Sequence, residues 1–147
     1  MHIMISEKDI VEKRKKMVTG HMLYLGKYGS GKTKYIKIQI DEILDKTDDS
    51  VFVFSEDSYK YNNYLNNDRV TIKRKDDIND LKMILETTRN NYLWLYFDGH
   101  VFLEQSHIDK LTLVLKRARK HKIIVTLASV SAESELINYF DACIVFL

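Results

Sequence analysis

The chain has 147 residues, 45% of them hydrophobic and 30% charged, with a formal net charge of +2. That length holds one domain with a real core rather than two, and the composition is that of a soluble globular protein. No run approaches the roughly 18 apolar residues of a membrane span, and MHIMISEKDIVEKRKK lacks the apolar segment of a signal peptide; both point to a cytoplasmic location without membrane insertion.

Ser6 to Lys16 reads as a short charged helix with Ser6 as N-cap, so residues 1–19 are expected to lie at the periphery of a single domain spanning 1–147. HMLYL, His21 to Leu25, is an apolar run suited to a strand buried on both faces. It leads into GKYGSGKT, which has glycine, four free residues, then Gly-Lys-Thr: the spacing of a phosphate-binding loop between a strand and a helix. The chain has five glycines, and three of them, Gly26, Gly29 and Gly31, lie in this stretch. Their freedom at φ lets successive N–H groups turn inward around a phosphate, so the backbone of Gly26, Lys27, Tyr28, Gly29, Ser30, Gly31, Lys32 and Thr33 is the expected cradle. Lys32 is expected to reach the β- and γ-phosphates as a point charge and the Thr33 hydroxyl to take one position on Mg²⁺. The implied ligands are ATP and Mg²⁺, with no base-reading motif to separate ATP from GTP.

The helix opened at Lys32 is expected to run to about Leu44, with Ile36, Ile40, Ile43 and Leu44 on one stripe. Val51 to Phe54 is the next strand, followed by a polar, tyrosine-rich connection. Its tyrosines Tyr59, Tyr61 and Tyr64 either cover the sheet edge, the preferred reading, or anchor a partner. Val70 to Lys73 is a possible edge strand, and Asp76 or Asp77 opens a helix carrying Ile78, Leu81, Ile84 and Leu85.

YLWLYFD, Tyr92 to Asp98, is a strand whose terminal carboxylate falls at the sheet edge where α/β proteins bind ligands. Asp98 is therefore the candidate partner of Thr33 in a metal shell. A helix from Ser106 to Lys120 buries Ile108, Leu111, Val114, Leu115 and Ala118. Ile123 to Ala128 is a fourth core strand, Ala132 to Phe140 a short helix, and Ala142 to Leu147 a fifth strand holding the single Cys143. The alternation predicts an α/β three-layer sandwich around a mostly parallel, five-stranded sheet. Basic residues cluster at Lys13 to Lys16, Lys73 to Lys75 and Lys116 to Lys122. With 23 basic against 21 acidic residues overall, however, the case for DNA is weak.

The stretch TGHMLYLGKYGSGKTKYIKIQIDEIL resembles the phosphate-loop region of the FtsK/HerA superfamily, in particular the TraC/TrbE-type ATPases of conjugative type IV secretion. DDSVFVFSEDSYKYNNYL, YLWLYFDGH and KRARKHKIIVTLASV carry the resemblance further, though only the phosphate loop is a specific motif. It implies a RecA-like P-loop NTPase core, assembly into a homo-oligomeric ring within transfer machinery at the inner membrane, and an arginine supplied in trans, for which Arg117 or Arg119 is the place to look. Where the family follows the strand aspartate with a glutamate that activates water, this chain has Gly99, with His100 and Glu104 as possible substitutes. Ala128 and Ser129 stand near the place of the family's sensor glutamine. The resemblance thus implies an ATP-binding domain of a transfer motor with a degenerate second motif and weak or partner-dependent hydrolysis. The alternatives are a non-catalytic module that keeps the motor fold and, less well supported, a kinase of nucleotides or small metabolites.

Overall fold

The computed structural model describes residues 2–3, 20–74, 80–99, 105–131 and 134–147; the expected helix at Ser6 to Lys16, the cap at Asp76 or Asp77, and His100 and Glu104 lie outside them. Two apolar runs form the centre of the sheet. β5 (Leu93–Asp98) and β6 (Ile123–Ser129) are buried at every position. Each lies between two other strands and under helices on both faces, which is why neither run alternates polar with apolar residues.

Around this pair stand β1 (His2–Ile3), β2 (Met22–Leu25), β3 (Ser50–Ser55), β4 (Val70–Arg74) and β7 (Ala142–Val145), in the order β1-β7-β2-β6-β5-β3-β4, with every pairing parallel. Six strands of four to seven residues make up the sheet, and the two-residue β1 extends its β7 edge. The expected five-stranded sheet is corrected here: Val70–Arg74 pairs with β3 along its whole length. Val70 to Lys73 is the possible edge strand of the sequence, and its weak burial, with only Val70 buried, is that of an edge.

α1 (Lys32–Lys46) packs Ile36, Ile40 and Ile43 on one face of the sheet, against Tyr24, Val53, Tyr96 and Ile124. Beneath it the buried Gln39 joins the hydroxyls of Tyr24 and Tyr96, accepting from Tyr96 at 3.2 Å and donating to Tyr24. This pins the helix to β2 and β5 with its polar groups paired. On the other face α2 (Leu81–Glu86) and α3 (Gln105–Arg117) cover Leu95, Phe97, Val125 and Leu127 with Leu81, Ile84, Leu111, Val114 and Leu115. A short α4 (Ser134–Ile137) adds Leu136 to the same face. The result is the expected three layers.

The order of strands decides where the loops meet. β6 lies between β2 and β5, and the register pairs Leu25 with Ser129, Ala128 with Asp98, and Asp98 with Ser55. The carboxyl ends of four strands are therefore level along one rim, bringing the glycine turn after β2 and the aspartate ending β5 to the same edge.

Candidate nucleotide site

The turn after β2 is held from below: the Gly26 N–H donates to Ser129 O at 3.2 Å, and the Ser30 N–H donates to Lys27 O at 3.2 Å. Gly29 and Gly31 stand at φ +74° and +100°, a region that a Cβ disfavours. Gly31 is the residue from which α1 departs, and Tyr35 N–H already bonds its carbonyl at 3.0 Å. The first N–H groups of α1 have no partner within the helix, and the positive end of its dipole faces the rim.

Lys32 folds its ammonium back over the turn, donating to the carbonyl of Gly26, to Lys27 O at 3.0 Å and to Ser30 Oγ at 3.5 Å. Partial burial pulls its pKa below the usual lysine value of 10.5, and the charge of Asp98 works against that shift. Asp98 is only 8% exposed. One of its oxygens, Oδ2, accepts from Thr33 Oγ1 at 2.8 Å and from the Tyr61 hydroxyl at 2.6 Å. The sequence-predicted pair Thr33 and Asp98 therefore meets. A buried carboxylate bonded by two hydroxyls from two other elements is fixed in position.

Tyr61 was not foreseen as a site residue. It lies in a 3₁₀ segment, Ser58–Tyr64, and is fully buried. Burial, followed by the charge of Asp98 and the hydrogen bond to it, raises the phenol's pKa well above 10.0, so the hydroxyl stays protonated as a donor. Tyr64 is also buried and donates to Asp41 Oδ1 at 2.7 Å, whereas Tyr59 is 65% exposed. Two of the three tyrosines thus do cover the sheet, and one of those reaches the site. No local signal marks Tyr61. Glu56 also lines the cleft, and a signal for it existed: it stands two residues past the apolar run of β3, as Gly99 does past that of β5.

The groups surround a cleft of about 220 Å³ that includes Tyr28, Lys32, Thr33, Glu56, Asp98 and Ser129 in its walls. Ala128 also lines it, and Ser129 Oγ donates to Ser131 O at 2.8 Å. Arg117 and Arg119 are elsewhere, where α3 turns into β6 at the opposite rim. Arg119 pairs with Asp141 at 2.7 Å, and Arg117 lines a separate cleft with Arg89 and Lys120. The residues at the first cleft suit a nucleotide with Mg²⁺. The turn presents backbone N–H groups and a lysine to phosphate, and Thr33 with Asp98 supplies the small oxygen set that Mg²⁺ takes from protein.

Such a loop, with an additional strand between its own strand and the one ending in aspartate, defines the P-loop ATPase fold. No family model matches the sequence, and no curated protein matches it. Solved structures do share the fold. The EssC segment containing ATPases 2 and 3 from Geobacillus thermodenitrificans superposes with a TM-score of 0.69 at 10% identity, over 88% of this chain and 33% of that one. EccC from Thermomonospora curvata, solved with a signal sequence peptide, gives 0.59 at 15%, over 76% and 25%. A RuvB variant from Thermotoga maritima gives 0.53 at 16%, over 95% and 42%. The chain thus spans between a quarter and somewhat over two fifths of the length of these proteins.

Proposed function

We propose that this chain is the nucleotide-binding module of a secretion or transfer motor of the FtsK/HerA type, binding ATP with Mg²⁺ in the cleft above β2 and β5. The observation that carries this reading is the 2.8 Å contact between Thr33 and Asp98 beside the glycine turn. In support, EssC and EccC structures superpose with TM-scores of 0.69, 0.67 and 0.64, and EccC is described as a type VII secretion ATPase. The conjugative assignment made from TraC/TrbE-like residues is the narrower form of the same proposal.

In the mechanism, Lys32 leaves the loop carbonyls for the β- and γ-phosphates, and the loop amides neutralise charge without reorganising. Mg²⁺, when bound, offsets charge on the phosphate oxygens. Thr33 and Asp98 would hold it, and Tyr61 keeps Asp98 aimed. In the ring reading, a neighbouring copy would have to dock its opposite rim, carrying Arg117 and Arg119, onto this cleft. Hydrolysis by the isolated chain is then weak and rises on assembly. Loss of that rise in R117A or R119A supports the trans arginine, and parental turnover in both variants removes it.

Among the described residues no helix is long and apolar enough to cross a membrane. The location that goes with the resemblance to transfer ATPases is the cytoplasmic side of an inner-membrane assembly. The nucleotide reading is tested by titration calorimetry with MgATP: saturable heat in the parent protein, lost in Lys32→Ala, is expected, and no heat at millimolar nucleotide would end it. Gly99, with no side chain beside Asp98, favours a second reading in which the domain binds nucleotide as a non-catalytic interaction module. Binding without any turnover, alone or assembled, would select it.

A further inference from the structure

We propose that Glu56 is the general base of this site, its carboxylate reaching from the neighbouring strand to the place left open by Gly99. This rests on the nucleotide reading above. The register pairs Ser55 with Asp98, so the next residues on the two strands, Glu56 and Gly99, stand opposite one another. The ladder continues to that point, with Glu56 N–H donating to Asp98 O at 3.1 Å. Neighbouring strands lie about 4.8 Å apart, a distance that a glutamate side chain covers. A carboxylate rooted at Glu56 therefore serves nearly the same space as one rooted at position 99.

The backbone shows that this space is taken. A Cβ built on Gly99 would lie 2.9 Å from Glu56 Cβ and 3.3 Å from Glu56 Oε2, so the glutamate is folded over the glycine. Gly99 also stands at φ +134°, where a side chain is strained. The absence of a side chain at 99 and the presence of a glutamate at 56 are thus two halves of one arrangement. Glu56 lines the same cleft as Thr33 and Asp98. The remaining carboxylate in that wall, Asp57, is one carbon shorter.

In the step this assigns, the oxygen of a water attacks the γ-phosphorus while one water proton passes to the Glu56 carboxylate. The bond from the γ-phosphorus to the β,γ-bridging oxygen breaks, and its electron pair stays on ADP. The proton then leaves Glu56 for phosphate or solvent.

The test uses the full chain as parent, Glu56→Gln and Lys32→Ala. MgATP affinity is measured by calorimetry, and hydrolysis of labelled ATP is followed under single-turnover conditions with protein in excess. The expected result is that E56Q binds MgATP as the parent does and hydrolyses it at least about 100-fold more slowly. Equal hydrolysis by E56Q overturns the proposal and leaves the nucleotide site standing. Loss of binding in E56Q overturns it as well, since the carboxylate would then hold ligand or loop rather than water. A parent that binds without any hydrolysis, alone or assembled at high protein concentration, overturns it in favour of the non-catalytic module. A parent that does not bind ends the nucleotide reading itself, and this proposal with it.

Discussion

The two rims of the sheet are built from similar residues and put them to different use. At the carboxyl rim, hydroxyls from α1 and from the 3₁₀ segment meet a single oxygen of Asp98 in the wall of a cleft. At the amino rim, charges are spent on the fold. Arg119 pairs with Asp141, Arg89 donates to the carbonyls of Ile84, Thr87 and His121 around the end of α2, and Lys122 donates to Asn90 O. Burial lowers the pKa of Arg89 just as it lowers that of Lys32, so a perturbed group does not distinguish the rims. What does distinguish them is convergence of several elements on one carboxylate beside an anion cradle.

If that contrast is right, the same kind of substitution should have unlike effects at the two rims. The largest difference is expected for Lys32→Ala. Loss of its charged hydrogen bonds to phosphate should weaken MgATP binding about 100-fold, equivalent to roughly 2.7 kcal/mol, in a calorimetric titration. Arg119→Ala should leave the affinity of the isolated chain unchanged, and an equal loss in both would abolish the contrast. Next comes Asp98→Asn, which keeps the volume but removes the charge facing the metal. The gain in nucleotide affinity on adding Mg²⁺ should shrink by about tenfold, while binding without Mg²⁺ is retained. A parental Mg²⁺ dependence in D98N would place the metal elsewhere.

Tyr61→Phe should be smaller still in binding but visible in stability. Removing a hydroxyl bonded to a buried carboxylate costs about 1.5–3 kcal/mol in a denaturant titration. The pH dependence sharpens this. Because the folded-state pKa of Tyr61 is raised, its contribution is complete below the ordinary tyrosine value of 10.0 and is lost as pH rises beyond it towards the raised value. Comparing midpoints at about pH 9 and about pH 11, the parent should lose more stability than Y61F, and equal losses would detach Tyr61 from Asp98. The smallest effect is expected at the amino rim: Arg119→Ala, removing an ion pair whose arginine is 60% exposed, should cost no more than about 1 kcal/mol.

Much of this molecule was legible along the chain. Glycine spacing, the lysine and threonine after it, and the apolar run that delivers the turn are neighbours in sequence, and the backbone conformation they need is a local property. The core strands announced themselves by apolar runs, and Asp98 by following one. The stripe on α1 was read from its period, although the buried Gln39 within it was not, because its burial depends on two tyrosine hydroxyls from β2 and β5. The count of five took in only the core strands; the edge strand read at Val70 to Lys73 forms, as Val70–Arg74, and makes a sixth.

What the chain determined alone was therefore a phosphate cradle and the elements on either side of it. Which side chains surround that cradle was settled by the strand order. With β6 between β2 and β5 and β3 on the far side of β5, Asp98 comes to Thr33, and Tyr61 and Glu56 come to Asp98 and Gly99, across separations of 65, 37 and about 43 residues. No periodicity reports on contacts of that range, because they exist only once the sheet has closed its register.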